Sequence, residues 1–144
     1  MNPECSTAKG NKFQKLTCKW RNIKDLNIEN DDYNTPIDHS RDAELGIIQT
    51  RGRFYNKIAW YFSHLDDDWG KQFDNMICYC ASKDRKSIER IYIFPLKEIK
   101  KRTNIGIYKS PKDKWGNHIT SWYEQYRIID EETINKVNDI WRTI

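Results

Sequence analysis

Two stretches of almost unbroken apolar and aromatic residues, Met76-Ile77-Cys78-Tyr79-Cys80-Ala81 and Ile91-Tyr92-Ile93-Phe94, constrain this chain more than any other feature. Runs this short suit strands, and without polar alternation neither face of such a strand can lie in water. They predict two central strands over residues 75–81 and 88–94, separated by the polar turn SKDRKS and closed by Pro95. Both faces of that sheet need a cover, so the remaining sequence must supply helices or further strands.

Helical periodicity appears near both ends. Residues 12–28 carry Phe13, Leu16, Trp20, Ile23 and Leu26 three or four apart, which predicts an amphipathic helix, followed by a turn-rich link over residues 27–36. Near the C-terminus, Asp130 suits an N-cap and Glu131 and Glu132 suit the positive end of a helix dipole. Ile134, Val137, Ile140, Trp141 and Ile144 then form one apolar stripe that predicts a helix docked on the sheet.

Between the helices, Gly46-Ile47-Ile48-Gln49-Thr50 reads as a strand that Arg51-Gly52-Arg53 continues or bulges. Asn56-Lys57 reads as a turn and Ile58-Ala59-Trp60-Tyr61-Phe62 as the returning strand of a hairpin. Residues 97–102 predict a short basic helix or turn, and Ile105-Gly106-Ile107-Tyr108 a further strand. The expected fold is α/β of the α+β kind, a mixed central β-sheet flanked by helices in one domain over residues 1–144. Within it lie an N-terminal helical segment (1–35), a sheet core (36–128) and a C-terminal helix (130–144).

Composition sets limits on function. A 13% aromatic content supplies a core despite only 38% hydrophobic residues. Lys and Arg number 25 against 21 Asp and Glu, a net charge of +4, which permits a nucleic-acid partner without requiring one. No apolar run approaches the roughly 20 residues of a membrane span, and the N-terminus lacks a signal-peptide core, so the expectation is a soluble, cytoplasmic protein with no membrane partner. Cys5, Cys18, Cys78 and Cys80 have no metal-ligand spacing and read as free thiols, with Cys78 and Cys80 on one face of a strand.

The residues that could carry chemistry gather around the first strand. Hydrolysis of a phosphodiester with a divalent metal needs carboxylates and a carbonyl oxygen on the ion and a cation near the phosphate. Asp38, Asp42 and Glu44 could supply the acids. Gln49 and Arg51, two apart on a strand, share a face and would set an amide ligand beside a fixed positive charge. The competing reading makes Asp38 and Asp42 the shapers of a polar turn and puts Gln49 and Arg51 on a solvated face. Asp66-Asp67-Asp68 reads as a solvated acidic loop, and His118 as loop surface rather than a general acid. Arg53, Lys57, Lys100, Lys101, Arg102, Lys109, Lys112 and Lys114, with Trp115 among them, could follow a phosphate backbone while rings stack on bases.

A leading acid, then GIIQTRG, an aromatic strand, FDNMICYC, IERIYIFPLKEI and WYEQYRI follow one another in an order that resembles the PD-(D/E)XK nuclease fold. The likeness is to phage and mobile-intron (homing) endonuclease domains and covers about residues 38–128. It implies a restriction-endonuclease-like core and a Mg2+- or Mn2+-dependent DNA endonuclease. Gln49 would stand at the acid-or-amide position, Arg51 at the basic position and Asp38 or Asp42 as the leading aspartate, with Asp42, Glu44 and Gln49 on the metal. Cutting both strands with so small a domain implies a homodimer. Family members usually carry Lys where this chain has Arg51, and a guanidinium that never deprotonates can stabilise charge but cannot act as a base. Gln49 in place of an acid removes a metal-binding charge. Two other classes therefore stay open, a catalytically inert nucleic-acid-binding module and a protein-interaction domain.

Overall fold

The computed structural model describes residues 7–24 and 41–144. Helices α1 (Thr7–Arg21) and α2 (Glu131–Thr143) frame strands β1 (Ile48–Phe54), β2 (Ala59–Phe62), β3 (Asn75–Ala81), β4 (Ile88–Pro95) and β5 (Ile105–Tyr108). The central sheet has the order β1-β3-β4, with β1 parallel to β3 and β3 antiparallel to β4. The domain is thus mixed α/β around a small mixed sheet. No helix among the described residues is long and apolar enough to cross a membrane.

Period-2 alternation sorts the central strands onto two cores. Ile48, Ile77, Tyr79, Ala81 and Ile91 face Phe13, Leu16 and Trp20 of α1 and Val137 and Trp141 of α2. Met76, Cys78, Cys80, Tyr92 and Phe94 face the other way, onto Trp60, Phe62, Ile105 and Ile107 of the β2-β5 sheet. α1 and α2 therefore cover one face and a second sheet covers the other, which is why the two central strands show no polar side. A register shift opposite Cys80 and Ala81, which pair with Arg90 and Ile88, leaves Glu89 as an extra residue and turns Ile88 to the helical core. Cys78 and Cys80 lie free and buried on one face, and burial pushes the Cys78 thiol up to about 12.

Several boundaries differ from the sequence expectations. α1 stops at Arg21 because Asn22 takes a left-handed conformation (φ 55°) and Ile23 N–H closes back on Cys18 O at 3.0 Å, an end that helical periodicity does not register. Residues 25–28 of the expected helix lie outside the described residues. β1 begins at Ile48, since Gly46 (φ +74°) closes a tight turn with Asp42 through two backbone hydrogen bonds of 2.7 and 2.9 Å. At the C-terminal helix the expectation holds. The Asp130 side chain accepts from Thr133 N–H, and Asn138 clamps Ile88 with bonds to both its N–H and its C=O.

The expected β1-β2 hairpin does not form. The turn is present, built on Asn56 Oδ1, which accepts from the N–H groups of Lys57, Ile58 and Ala59. Yet Tyr55 N–H continues the pairing with Ala81 O, so β1 stays with β3, and β2 pairs with β5 in a separate antiparallel sheet. Side chains replace the missing ladder. Arg53 Nε donates to Tyr61 O (3.2 Å), and Arg51 donates to Ser63 O and His64 O (both 3.1 Å).

Candidate nucleic-acid interface

Asp42 and Glu44 do come together, but around a cation. Arg21, in the last turn of α1, donates from Nε to Asp42 Oδ2 (2.8 Å) and from Nη2 to Asp42 Oδ1 and Glu44 Oε2 (both 3.2 Å). Asp42 Oδ1 also accepts from the N–H groups of Glu44 and Leu45 at 2.8 Å, so this carboxylate shapes the turn into β1. Glu44 stands in solvent at 79% exposure. The Arg21 hydrogen bond, helped by the two backbone donors and opposed by burial, holds the Asp42 carboxyl down at about 2. A carboxyl with a folded value below its unfolded value of 3.8 adds stability that is complete above about pH 5 and fades as pH falls through about 2. Asp42→Asn should therefore lower stability at pH 7 by about 1 kcal/mol, after allowance for solvent screening, and flatten the loss between pH 5 and 2. Chemical denaturation at several pH values measures both effects.

Gln49 and Arg51 do share a face of β1, the face toward β2, and neither is solvated in the way a surface row would be. Gln49 is 4% exposed, and its Oε1 is buried without a hydrogen-bond partner among the described residues. Arg51 donates from Nε (2.9 Å) and Nη2 (2.7 Å) to Asp68 Oδ2. Asp68 is 2% exposed and also meets Lys71 at 3.1 Å, so the acidic loop is solvated at Asp66 and Asp67 only. Three consecutive acids gave no sign of which one turns inward. Asp38 lies outside the described residues.

These donors do not fit a divalent cation as they stand. Mg2+ or Mn2+ wants several free hard oxygens. The Asp42 oxygens already accept four hydrogen bonds, and Arg51 and Lys71 occupy Asp68. Among the described residues no three His, Cys, Asp or Glu side chains converge.

Cations gather instead along the margin of β1. A groove of about 590 Å³ runs beside residues 50–56 between Phe13, Gln14 and Arg85, with Arg51 and Arg53 in its wall. It adjoins a second groove, of about 400 Å³, at Arg85, with Lys12, Lys86 and Arg142 along it. Among the described residues, no Asp or Glu lines either groove. Aromatic rings hold the cations in place: Arg85 lies 4.5 Å over Phe54, and Lys12 lies 3.9 Å over Trp141. Arg53 is half-buried and donates only to the carbonyls of Tyr61 and Gly52, with no carboxylate partner among the described residues. Burial, and then the neighbouring Arg51 charge, lower its pKa.

The other expected basic residues are divided. Lys101 and Arg102 are held by Glu98 at 3.1 Å, with Arg102 also 3.7 Å over Trp122, while Lys57 and Lys100 are exposed. Lys109 pairs with Glu89 (3.3 Å) and sits 4.1 Å over Tyr55 at the end of the β1 groove. The backbones of Lys112 and His118 pair in an isolated antiparallel β-bridge that closes a loop whose tip carries Lys114 and Trp115. Lys12, Arg85, Lys86 and Arg142 were not expected at the interface. The signal was present in SKDRKS, a turn with three cations and one acid.

The structure defines a mixed α/β domain with a cationic margin on its edge strand. No protein-family model matches the chain, and no curated protein matches its sequence.

Proposed function

We propose that the chain is a nucleic-acid-binding domain that grips the phosphate backbone along the margin of β1. The observation that carries this reading is Arg53, a half-buried guanidinium without a counter-ion among the described residues, set in a groove whose described charged lining is basic. A buried cation is costly unless an anion meets it, and phosphate meets guanidinium in two parallel hydrogen bonds. Arg85, Lys86, Lys12 and Arg142 extend the contact along the second groove.

A second reading, Mg2+-dependent cleavage of DNA on a restriction-endonuclease-like core, is favoured by one feature. Gln49 offers a buried carbonyl oxygen without a partner among the described residues, at the position where the nuclease resemblance puts an acid or amide. On this reading two copies would act together to cut both strands.

One experiment separates the readings. A short DNA duplex, titrated with the full chain at several salt concentrations, should bind with an affinity that falls linearly on logarithmic axes, by about 0.9 in slope per phosphate contact. Arg85→Ala with Lys86→Ala should reduce that slope by about 2. The same mixture given Mg2+ tests cleavage: intact DNA favours the binding module, and cutting abolished by Gln49→Ala favours the nuclease. No binding at low salt would remove both and leave a protein-interaction domain.

A further inference from the structure

The outer face of the β2-β5 sheet and the loop after it are aromatic and open. Tyr61 and Tyr108 stand 42% and 38% exposed, their rings perpendicular and their hydroxyls 3.2 Å apart. Gly106 lies between them, where even a Cβ would come within 3.2 Å of the Tyr61 ring. A groove of about 430 Å³ opens over Gly106 between Tyr108 and Trp122, with Pro111 and Ile119 along it and Lys112 as the one charged residue among its described lining.

A second groove, of about 330 Å³, shares Ser110, Pro111 and Ile119 with the first. Its charged lining is Arg90, Lys109, Arg127 and Glu124. Glu124 accepts from Tyr92 Oη at 2.9 Å and from Arg127 at 3.4 Å with Arg90 at 3.6 Å, and Lys109 pairs with Glu89, so three cations meet two carboxylates and a positive excess remains. Beside both grooves, Asp113 Oδ1 accepts from Trp115 N–H and Asn117 N–H and shapes a loop whose tip presents Trp115 at 74% exposure with Lys114 at 4.4 Å.

We infer that the aromatic groove receives an unpaired base of a single-stranded nucleic acid, with the adjoining phosphate on the Arg90-Lys109-Arg127 side and Trp115 stacking on a neighbouring base. This rests on the nucleic-acid-binding reading and names its substrate class. A ring-lined slot backed by cations is complementary to a nucleotide, apolar at the base and anionic at the phosphate. Bases inside a duplex are already stacked and do not reach such a slot. Groove size agrees, being at the small end of the roughly 300–1,000 Å³ usual for ligand sites.

Fluorescence anisotropy of the full chain with labelled oligo-dT, with a duplex of equal length, and with an oligomer in which abasic sites replace the bases tests the assignment. Oligo-dT should bind more tightly than either competitor. Gly106→Val, which fills the groove without touching charge, Ile119→Glu and Trp115→Ala should each weaken oligo-dT on the order of tenfold and leave the duplex unchanged. Circular dichroism checks the fold, and Trp115→Ala keeps the test decisive if a strand variant unfolds. Equal binding of oligo-dT and abasic oligomer, or duplex binding with no single-strand preference, overturns the inference while the β1 groove reading stands. No binding of any of the three at low salt removes both.

Discussion

Asp68→Ala is expected to destabilise the domain by about 3–5 kcal/mol, because it strands the Arg51 guanidinium in a nearly dry site. Asp68 is 2% exposed and Arg51 16%, and the one carboxylate oxygen receives both Nε and Nη2. Desolvating both charges costs several kcal/mol, which their mutual contact, the Lys71 ion pair with Asp68 and the bonds to Ser63 O and His64 O offset. Removing one partner therefore hurts more than removing both. Arg51→Met combined with Asp68→Leu should recover much of the loss in a urea-unfolding comparison. A midpoint for Asp68→Ala close to that of the parent would show that the pair contributes little. The same geometry bears on activity. A guanidinium committed to Asp68 and two carbonyls is fixed in place before any substrate arrives, so Arg51 is a structural tie between β1 and the segment after β2.

Gly52→Ala is expected to cost about 3 kcal/mol, the upper end for overpacking in a core. A Cβ at this position would lie 2.3 Å from the ring of Phe13, far inside contact distance. Phe13 cannot easily move aside, because it packs on Tyr79 (5.9 Å), Trp141 (5.1 Å) and Phe54 (5.5 Å). The glycine lets α1 lie directly on the backbone of the edge strand. Phe13→Leu in the same chain should relieve part of the penalty, so the two substitutions together should cost less than their sum in thermal unfolding. Simple additivity would mean that the ring and the added methyl never meet.

Much of the architecture was legible in side-chain periodicity. The two unbroken runs gave β3 and β4, the apolar stripe and Asp130 gave α2, and spacing put Gln49 with Arg51 and Cys78 with Cys80. Pairing was not legible. Nothing local says that a strand followed by a good Asn56 turn will refuse its neighbour, since the deciding contacts are Tyr55 with Ala81 and the buried Trp60 Nε1, which donates to Ala81 O at 2.7 Å. The candidate site was half legible for the same reason. Sequence marks which side chains carry charge, whereas the partner that uses each charge, Arg21 for Asp42 and Asp68 for Arg51, comes from a distant segment. Arg53 matters because no such partner among the described residues reaches it.

The arginine bonds between β1 and β2 also bear on how the chain behaves in crowded surroundings. A short strand with unpaired carbonyls is a template on which other chains add, the first step of edge-to-edge aggregation. In β2 and just beyond it, guanidinium groups already occupy the carbonyls of Tyr61, Ser63 and His64. An incoming strand would have to displace two charged forks, one of them anchored by a buried carboxylate. Arg51 and Arg53 thus blunt the β2 side of the small second sheet against an added strand.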